Sequence, residues 1–350
     1  MKNKCCKTAI LILVYLSAVC FLAAGCSSLK DSNDLKNSNV LLDVTGRYVY
    51  VPKEIKRIIS LNSGMSALIA AFGDSDKIVG RDNFSTFPSY LNKINSVGKN
   101  SSDPNFELIL ETEPDLVIAD TMLSDSDRAK IESAGIPVIV DSTSDPDRIF
   151  YIIRNLGIIL GKKQKAEEII KYMEVYLDLV DQRVTEKEVK GGNFPLIYFE
   201  ARHDYKSASA ENNAHKPIVA AGGINIAAAE PVSSPRISSE YILEKNPDII
   251  IRRVSGDAGL EEMKLLREDL MSRAGLKEVK AVKEGKVYII KADVFLTLRY
   301  PVGLLYYAKW FHPDIFSDIN PDVLHKKFIV DFFGTEEWEK INEIFIYPNN

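Results

Sequence analysis

The chain has 350 residues, 46% of them hydrophobic and 27% charged, with a formal net charge of −5. That length suits two domains of ordinary size, and an acidic balance argues against nucleic acid or an anionic membrane surface as a partner. The four cysteines are Cys5, Cys6, Cys20 and Cys26, all near the N-terminus. A chain cut before Cys26 and lipidated on it therefore keeps no thiol for a disulfide, a zinc–thiolate site or a nucleophile.

Lys2, Lys4 and Lys7 precede an apolar run from Thr8 to Ala24, which ends in Leu22-Ala23-Ala24-Gly25-Cys26. A charged start, an apolar stretch and small residues before a cut predict a secretory signal over 1–25. The run is short for a membrane-spanning helix, which needs ~20 residues. The box ending in Cys26 resembles that of prokaryotic lipoproteins, in which the cysteine carries the lipid. Removing residues 1–25 takes away three lysines and no acid, so the net charge moves from −5 to −8. Residues 26–39 are polar and read as a flexible tether.

Residues 40–160 read as a first α/β lobe. Residues 41–44 and 48–51 flank Thr45-Gly46-Arg47 as a hairpin. Strands are predicted at 58–61, 77–80, 116–119 and 136–140, alternating with helices at 62–72, 106–110 and 124–134; a further helix covers 147–160. Apolar strands alternating with helices predict a mostly parallel sheet covered on both faces. Residues 161–190 form a linker: from Lys163 to about Glu186 there is neither Pro nor Gly, and Ile169, Ile170, Met173, Tyr176, Leu177 and Val180 mark one helical face. Residues 191–350 restart the alternation as a second lobe, with strands at 196–199, 248–251 and 287–290 and helices at 213–221, 238–245, 301–311 and within 320–345.

The segment from Glu107 to Ile118 is echoed from Glu240 to Ile251, each a helix, an acidic turn with Pro-Asp, then an apolar strand. Both lobes thus carry the same unit.

These segments, with RIISLNSGMSALIAAFGDSDKIVGR (57–81), SVGKNSSDPNFELILETEPDLVI (96–118), the helix after Lys163 and PRISSEYILEKNPDIII (235–251), carry a resemblance. The chain resembles the periplasmic-binding-protein family for iron–siderophores and cobalamin, in which two α/β lobes are joined by one long helix. The resemblance implies an extracytoplasmic solute-binding component of an ABC importer, held to the membrane by its lipid and working as a monomer with a permease and its ATPase. It also implies that Glu107 and Glu240, one per lobe, dock onto arginines of the permease. Cobalamin-binding relatives carry tryptophans beside the cleft; here Asn100-Ser101-Ser102 and Ser233-Ser234-Pro235 stand at those places. The corrin-stacking surface is missing, which demotes cobalamin.

Ligands of open α/β sheets bind beyond the carboxyl ends of the strands. The loops there supply Ser63, Arg81 and Phe84 from the first lobe, and Arg202, His203, Tyr205, Arg252, Arg253, Arg299 and Tyr300 from the second. Cations gathered in an acidic protein suggest an anionic ligand, since guanidinium groups donate to carboxylates, catecholates and oxyanions in a planar fork, with aromatic rings as walls. The expected solute is an anionic iron–siderophore-type metal chelate; the alternatives on the same fold are a free oxyanion such as molybdate or tungstate, and cobalamin. The four histidines lack ligand spacing, so no protein-held metal and no cofactor are expected. There is no G-x-S-x-G elbow, no H-E-x-x-H and no mature cysteine nucleophile, which argues against an enzyme. A surface adhesion lipoprotein is the remaining alternative class.

Overall fold

The computed structural model describes residues 37–341 and 345–348; the expected signal, Cys26 and most of the tether lie outside the described residues. Ser38–Leu42 (β1) and Tyr48–Pro52 (β2) pair antiparallel, with Val40 opposite Tyr50. Asp43 and Val44 belong to the turn rather than to the first strand, because the buried Asp43 carboxylate accepts the backbone N–H groups of Thr45 and Arg47 at 3.0 and 3.1 Å.

Four parallel strands follow: Ile58–Leu61 (β3), Ile78–Arg81 (β4), Leu116–Ala119 (β5) and Val138–Val140 (β6), in the order β4-β3-β5-β6. The last is shorter than the sequence predicts, since Pro137 has no N–H to give the ladder. Between them lie Ser63–Ala71 (α1), Phe106–Glu111 (α2) and Asp125–Ser133 (α3), each started by a side chain that accepts a helix N–H: Asn62, Asn105 and Ser124. Ile149–Ile159 (α4) leads into Lys163–Val189 (α5), the 27-residue linker. At ~1.5 Å per residue α5 is ~40 Å long, enough to pass from one lobe to the other.

The second sheet contains Leu196–Glu200 (β7), Ile224–Asn225 (β8), Ile249–Val254 (β9), Val287–Lys291 (β10) and Ile346–Tyr347 (β11), ordered β11-β10-β9-β7-β8. All its pairings are parallel except that of β11, whose short strand the sequence reading missed. The flanking helices are His215–Ala220 (α6), Ser239–Lys245 (α7), Leu260–Ser272 (α8, also missed), Lys280–Lys283 (α9), Tyr300–Phe311 (α10), Pro321–Phe333 (α11) and Thr335–Ile341 (α12).

β9 corrects the sequence reading in a way that matters. It was expected to end at Ile251, leaving Arg252 and Arg253 in a loop. Instead it is a central strand paired as far as Arg253 opposite Ile290 and Val254 opposite Lys291, so both arginines are strand residues.

The internal echo is also geometric. Glu113 (φ +43°) and Asn246 (φ +46°) take the left-handed conformation at the ends of α2 and α7. The Pro-Asp that follows plays a like part in each lobe: Asp115 accepts the N–H groups of Lys56 and Arg57, and Asp248 accepts that of Leu196, at the starts of the neighbouring strands.

The two sheets turn one face each to a shared core. Ile58, Leu116 and Ile118 from one sheet and Ile197, Phe199, Ile249, Ile251 and Ile290 from the other belong to a single apolar cluster with Ile169, Ile170, Met173 and Val180 of α5. Smaller clusters cover the outer faces. A shared core and an unbroken helix at the joint resist bending, because bending would break helix hydrogen bonds and open the packing.

Candidate functional site

A cavity of about 400 Å³ opens between the lobes beyond the carboxyl ends of the strands. Ser144 and Pro146 line it from the loop after β6; Phe199, Arg253, Phe295, Tyr300 and Tyr307 form most of the opposite wall, with Asn212, Asn213 and Ser233 on its polar side. Phe295 and Tyr307 lie ring to ring at 4.7 Å. Tyr307 is fully buried, Tyr300 nearly so, and burial pushes both phenols above their ordinary range.

Arg253 is the charge in this wall. Side chains alternate along a strand, so Ile249, Ile251 and Arg253 share the face that joins the common core. Its guanidinium carbon is 5.2 Å from the centre of the Phe199 ring. Among the described residues Arg253 has neither an ion pair nor a hydrogen bond. Burial pulls its pKa down, Tyr307 opposes that, and the positive Arg202 adds to it. The exposed Glu211 shares the cavity lining but makes no ion pair with Arg253, and a half-buried cation without an ion-pair partner is costly unless something anionic arrives.

Arg252 faces the other way and is paired with acids, although its Nε lacks a hydrogen-bond partner among the described residues. It pairs with Glu200, which stands opposite it in the sheet, and with Asp204 at 3.2 Å. Glu200 is completely buried; it also receives the Tyr198 hydroxyl at 2.6 Å, the Tyr205 N–H at 2.7 Å and Arg273 at 2.8 Å. The acidic neighbours hold Arg273 above its ordinary range against the opposing effect of burial.

Of the predicted ligand set, Arg253 and Tyr300 line the cavity and the rest do not. Arg299 is buried, paired with Asp293 at 2.6 Å and stacked 3.9 Å from the Phe87 ring of the first lobe, so it ties the lobes together away from the cavity. Arg81 donates to the carbonyls of Leu91, Ile94 and Asp82. Arg202 reaches Ser255, Tyr205 lies beneath Arg273, and His203 is exposed on its loop. Ser63 opens α1 outside the wall, and Phe84 is 55% exposed to solvent.

The first-lobe loops are largely self-satisfied. Asn62 donates to Asp120 and accepts from the Thr143 hydroxyl, each at 3.0 Å. The segment the sequence reading missed is 141–147, although its strand was recognised; the same rule that named the other loops points to it. It also bridges the lobes. Lys216 of α6 reaches across to Asp145 at 2.6 Å and Asp147 at 2.7 Å. Thr297, held at φ +40°, donates its N–H to the Thr143 carbonyl. Gly64 is required beside it, since a Cβ there would sit 2.5 Å from the Thr143 hydroxyl.

Glu107 and Glu240 are both exposed in the first turns of α2 and α7, at corresponding places of the repeated unit. The helix-start N–H groups and the Ser238 hydroxyl hold Glu240 below the usual carboxylate range.

Residues 58–294, more than half of the chain, match the family described as periplasmic binding protein. The chain belongs to that family. It is the substrate-binding component of an ABC importer. An uncharacterized ABC transporter substrate-binding lipoprotein of Bacillus subtilis, YvrC, is 26% identical over 311 residues, covering 85% of this chain and 95% of its own. Among solved structures, the TroA-like periplasmic binding protein FepB of Veillonella parvula superposes with a TM-score of 0.69 at 26% identity, over 84% of this chain and 95% of that one. The molybdate periplasmic binding protein MolA of Haemophilus influenzae, with molybdate bound, gives 0.70 at 19% identity, over 84% and 97%, and shares the fold. No helix of the described residues is long and apolar enough to cross a membrane.

Proposed function

We propose that this periplasmic binding protein captures an anionic metal chelate of the ferric-siderophore class and is held on the extracytoplasmic face of the membrane by a lipid on Cys26. The observation that carries the ligand reading is Arg253, a cation with no partner among the described residues, set among Phe199, Tyr300 and Tyr307 in the cavity wall. One charge-assisted donor and several aromatic faces suit a ligand that is anionic at one edge and apolar elsewhere. Size supports the same reading. A tetrahedral oxyanion occupies a few water volumes of ~30 Å³ each, a small part of about 400 Å³. An oxyanion held by Arg253 is the second reading, favoured by the likeness to the molybdate-binding MolA. Lipid anchoring is supported by the box ending in Cys26 and by the lipoprotein relative.

Calorimetric titration with ferric hydroxamate, ferric catecholate, ferric citrate and molybdate tests the ligand class. Saturable heat with one ferric chelate, weakened in Arg253→Ala, is expected. Heat with molybdate alone replaces the chelate by the oxyanion. Delivery is expected to run through Glu107 and Glu240. Changing each to Ala should leave ligand affinity intact and lower ligand-stimulated ATP hydrolysis by the reconstituted permease–ATPase; unchanged stimulation removes the docking role.

A further inference from the structure

We propose that the outer face of the β1–β2 hairpin is a lipid-contacting surface on which the folded protein rests against the bilayer that holds it. The proposal rests on the reading of Cys26 as the lipidated residue.

The hairpin is two-faced in an unusual sense. Leu41, Val49 and Val51 point inward and are buried in the core. The outward positions of a half-buried antiparallel pair are ordinarily polar. Here they are Val40, Leu42, Tyr48 and Tyr50, at 51%, 37%, 71% and 39% exposure. The register sets Val40 opposite Tyr50 and Leu42 opposite Tyr48, which makes the four side chains one continuous patch. Pro52 extends it and is exposed too. The other exposed large apolar residues, such as Phe84, Met122, Val175 and Leu265, are scattered along the chain rather than gathered in one element, as on an ordinary surface. Neither the Tyr48 nor the Tyr50 hydroxyl bonds to a described residue, so each ring presents an apolar body with a polar tip free for water or a headgroup. Tyrosines with that geometry favour the membrane–water boundary.

The position of the patch in the chain identifies its occupant. The hairpin is the first element of the described residues, and only residues 27–37 separate Cys26 from Ser38. Eleven residues reach at most ~40 Å, whatever their conformation. The segment carries Lys30 and Lys36 against Asp31 and Asp34, so it adds nothing to the net charge of −8, and the contact rests on the apolar patch and the tether rather than on attraction to anionic headgroups. A short tether holds the patch at high effective concentration beside the lipid surface, so a contact too weak to recruit free protein suffices once the anchor is in place.

The experiment uses the full chain made in bacterial membranes, purified and reconstituted into phosphatidylcholine–phosphatidylglycerol vesicles, with Tyr48→Trp as reporter. The native tryptophans, Trp310 and Trp338, sit within the fold on α10 and α12 and set the background. Acyl labelling that disappears in Cys26→Ser establishes the anchor. Its absence sinks the anchor reading and the proposal with it. With the anchor present, replacing the lipids by bromine-labelled ones is expected to quench Tyr48→Trp emission by at least a third beyond the loss in the unsubstituted chain. Adding Tyr50→Glu should remove most of that extra quenching while the melting temperature stays put. An anchored chain with no extra quenching overturns the proposal. So does a reporter already blue-shifted in detergent in a particle of twice the mass, which assigns the face to a second copy of the chain.

Discussion

The two faces of β9 put adjacent arginines to opposite uses. On one face Arg252 joins Arg273 around the buried Glu200 carboxylate, with Asp204 and Asp269 at the edge. On the other, one residue along, Arg253 looks into the cavity and makes no ion pair with any described residue, Glu211 of the same lining included. Composition and loop position do not distinguish the two. The two-residue period of a strand and the residue across the ladder do: Glu200 stands opposite Arg252. A cation with an acid of its own holds the structure together, whereas one without is left for the ligand.

The largest effect expected from breaking this contrast is on stability. Glu200→Ala leaves Arg252 and Arg273 buried without their shared carboxylate, and removing one partner of a buried ionic group costs ~3–5 kcal/mol. Denaturant unfolding should show a loss of that order. Glu200→Gln should lose less, since the amide oxygen still accepts the Tyr205 N–H. If Glu200→Ala unfolds at the same midpoint as the parent chain, the first face is not the structural one.

The second effect is on binding. Arg253→Ala should weaken chelate affinity at least tenfold, or ~1.4 kcal/mol. It should leave the unfolding midpoint unchanged or raised, because it removes a desolvated charge that no described residue compensates. Arg253→Lys should recover only part of the affinity, as a point charge lacks the planar fork. Arg299→Ala, in contrast, should lower stability more than affinity, since Asp293 and Phe87 rather than the cavity hold that guanidinium. Calorimetry and unfolding on the same three variants test both halves.

A buried imidazole sharpens the comparison, because burial penalises every cation but only histidine has a pKa low enough to escape by losing its proton. His325 is buried beside Phe345 and Trp338, its ring nitrogens lack hydrogen-bond partners among the described residues, and burial, helped by Arg299, holds it well below its ordinary value. Unfolded, the same side chain titrates near pH 6.5. Below that pH the unfolded chain binds the extra proton, so stability contributed by this group is intact above ~6.5 and falls as pH drops, by up to ~1.4 kcal/mol per pH unit. His325→Phe should flatten the unfolding free energy between pH 6.5 and 5 by about that slope. His215 and His312, also lowered by burial, leave a remainder in the parent chain. An unchanged slope in the variant removes His325 as its source.

The fold was legible for physical reasons that the site did not share. Strands such as 116–119 and 138–140 are apolar throughout because both faces of a parallel sheet are covered, and the linker shows itself by a helical stripe uninterrupted by Pro or Gly. The Pro-Asp turns repeat because each Asp ties its turn to the start of a neighbouring strand. The site depends on which acid meets which base. Nothing local announces that Arg299 will find Asp293 and Phe87, or that Arg81 will be spent on backbone carbonyls. Arg253 was named along with its neighbours, but for the wrong local reason: it was expected in a loop and lies in a strand. Loop 141–147 was overlooked because Ser, Thr and Asp after a strand look like an ordinary turn until Lys216 is seen to reach it from the other lobe.

Lys216 stands between the two kinds of cation, and the smallest effect belongs to it. It has acids of its own, Asp145 and Asp147, but they lie on the opposite lobe and beside the cavity residues Ser144 and Pro146. Ion pairs near the surface contribute ~0–1 kcal/mol, so Lys216→Ala should move the unfolding midpoint little. The kinetics should respond more. The pairs join the two lobes beside two residues of the cavity lining, so Lys216→Ala is expected to raise the ligand association rate about twofold or more in stopped-flow fluorescence. High salt should speed the parent chain toward the variant by screening the same pair. If Lys216→Ala instead slows association and weakens affinity, the lysine attracts the anion as Arg253 does, and its two aspartates serve only to hold it ready.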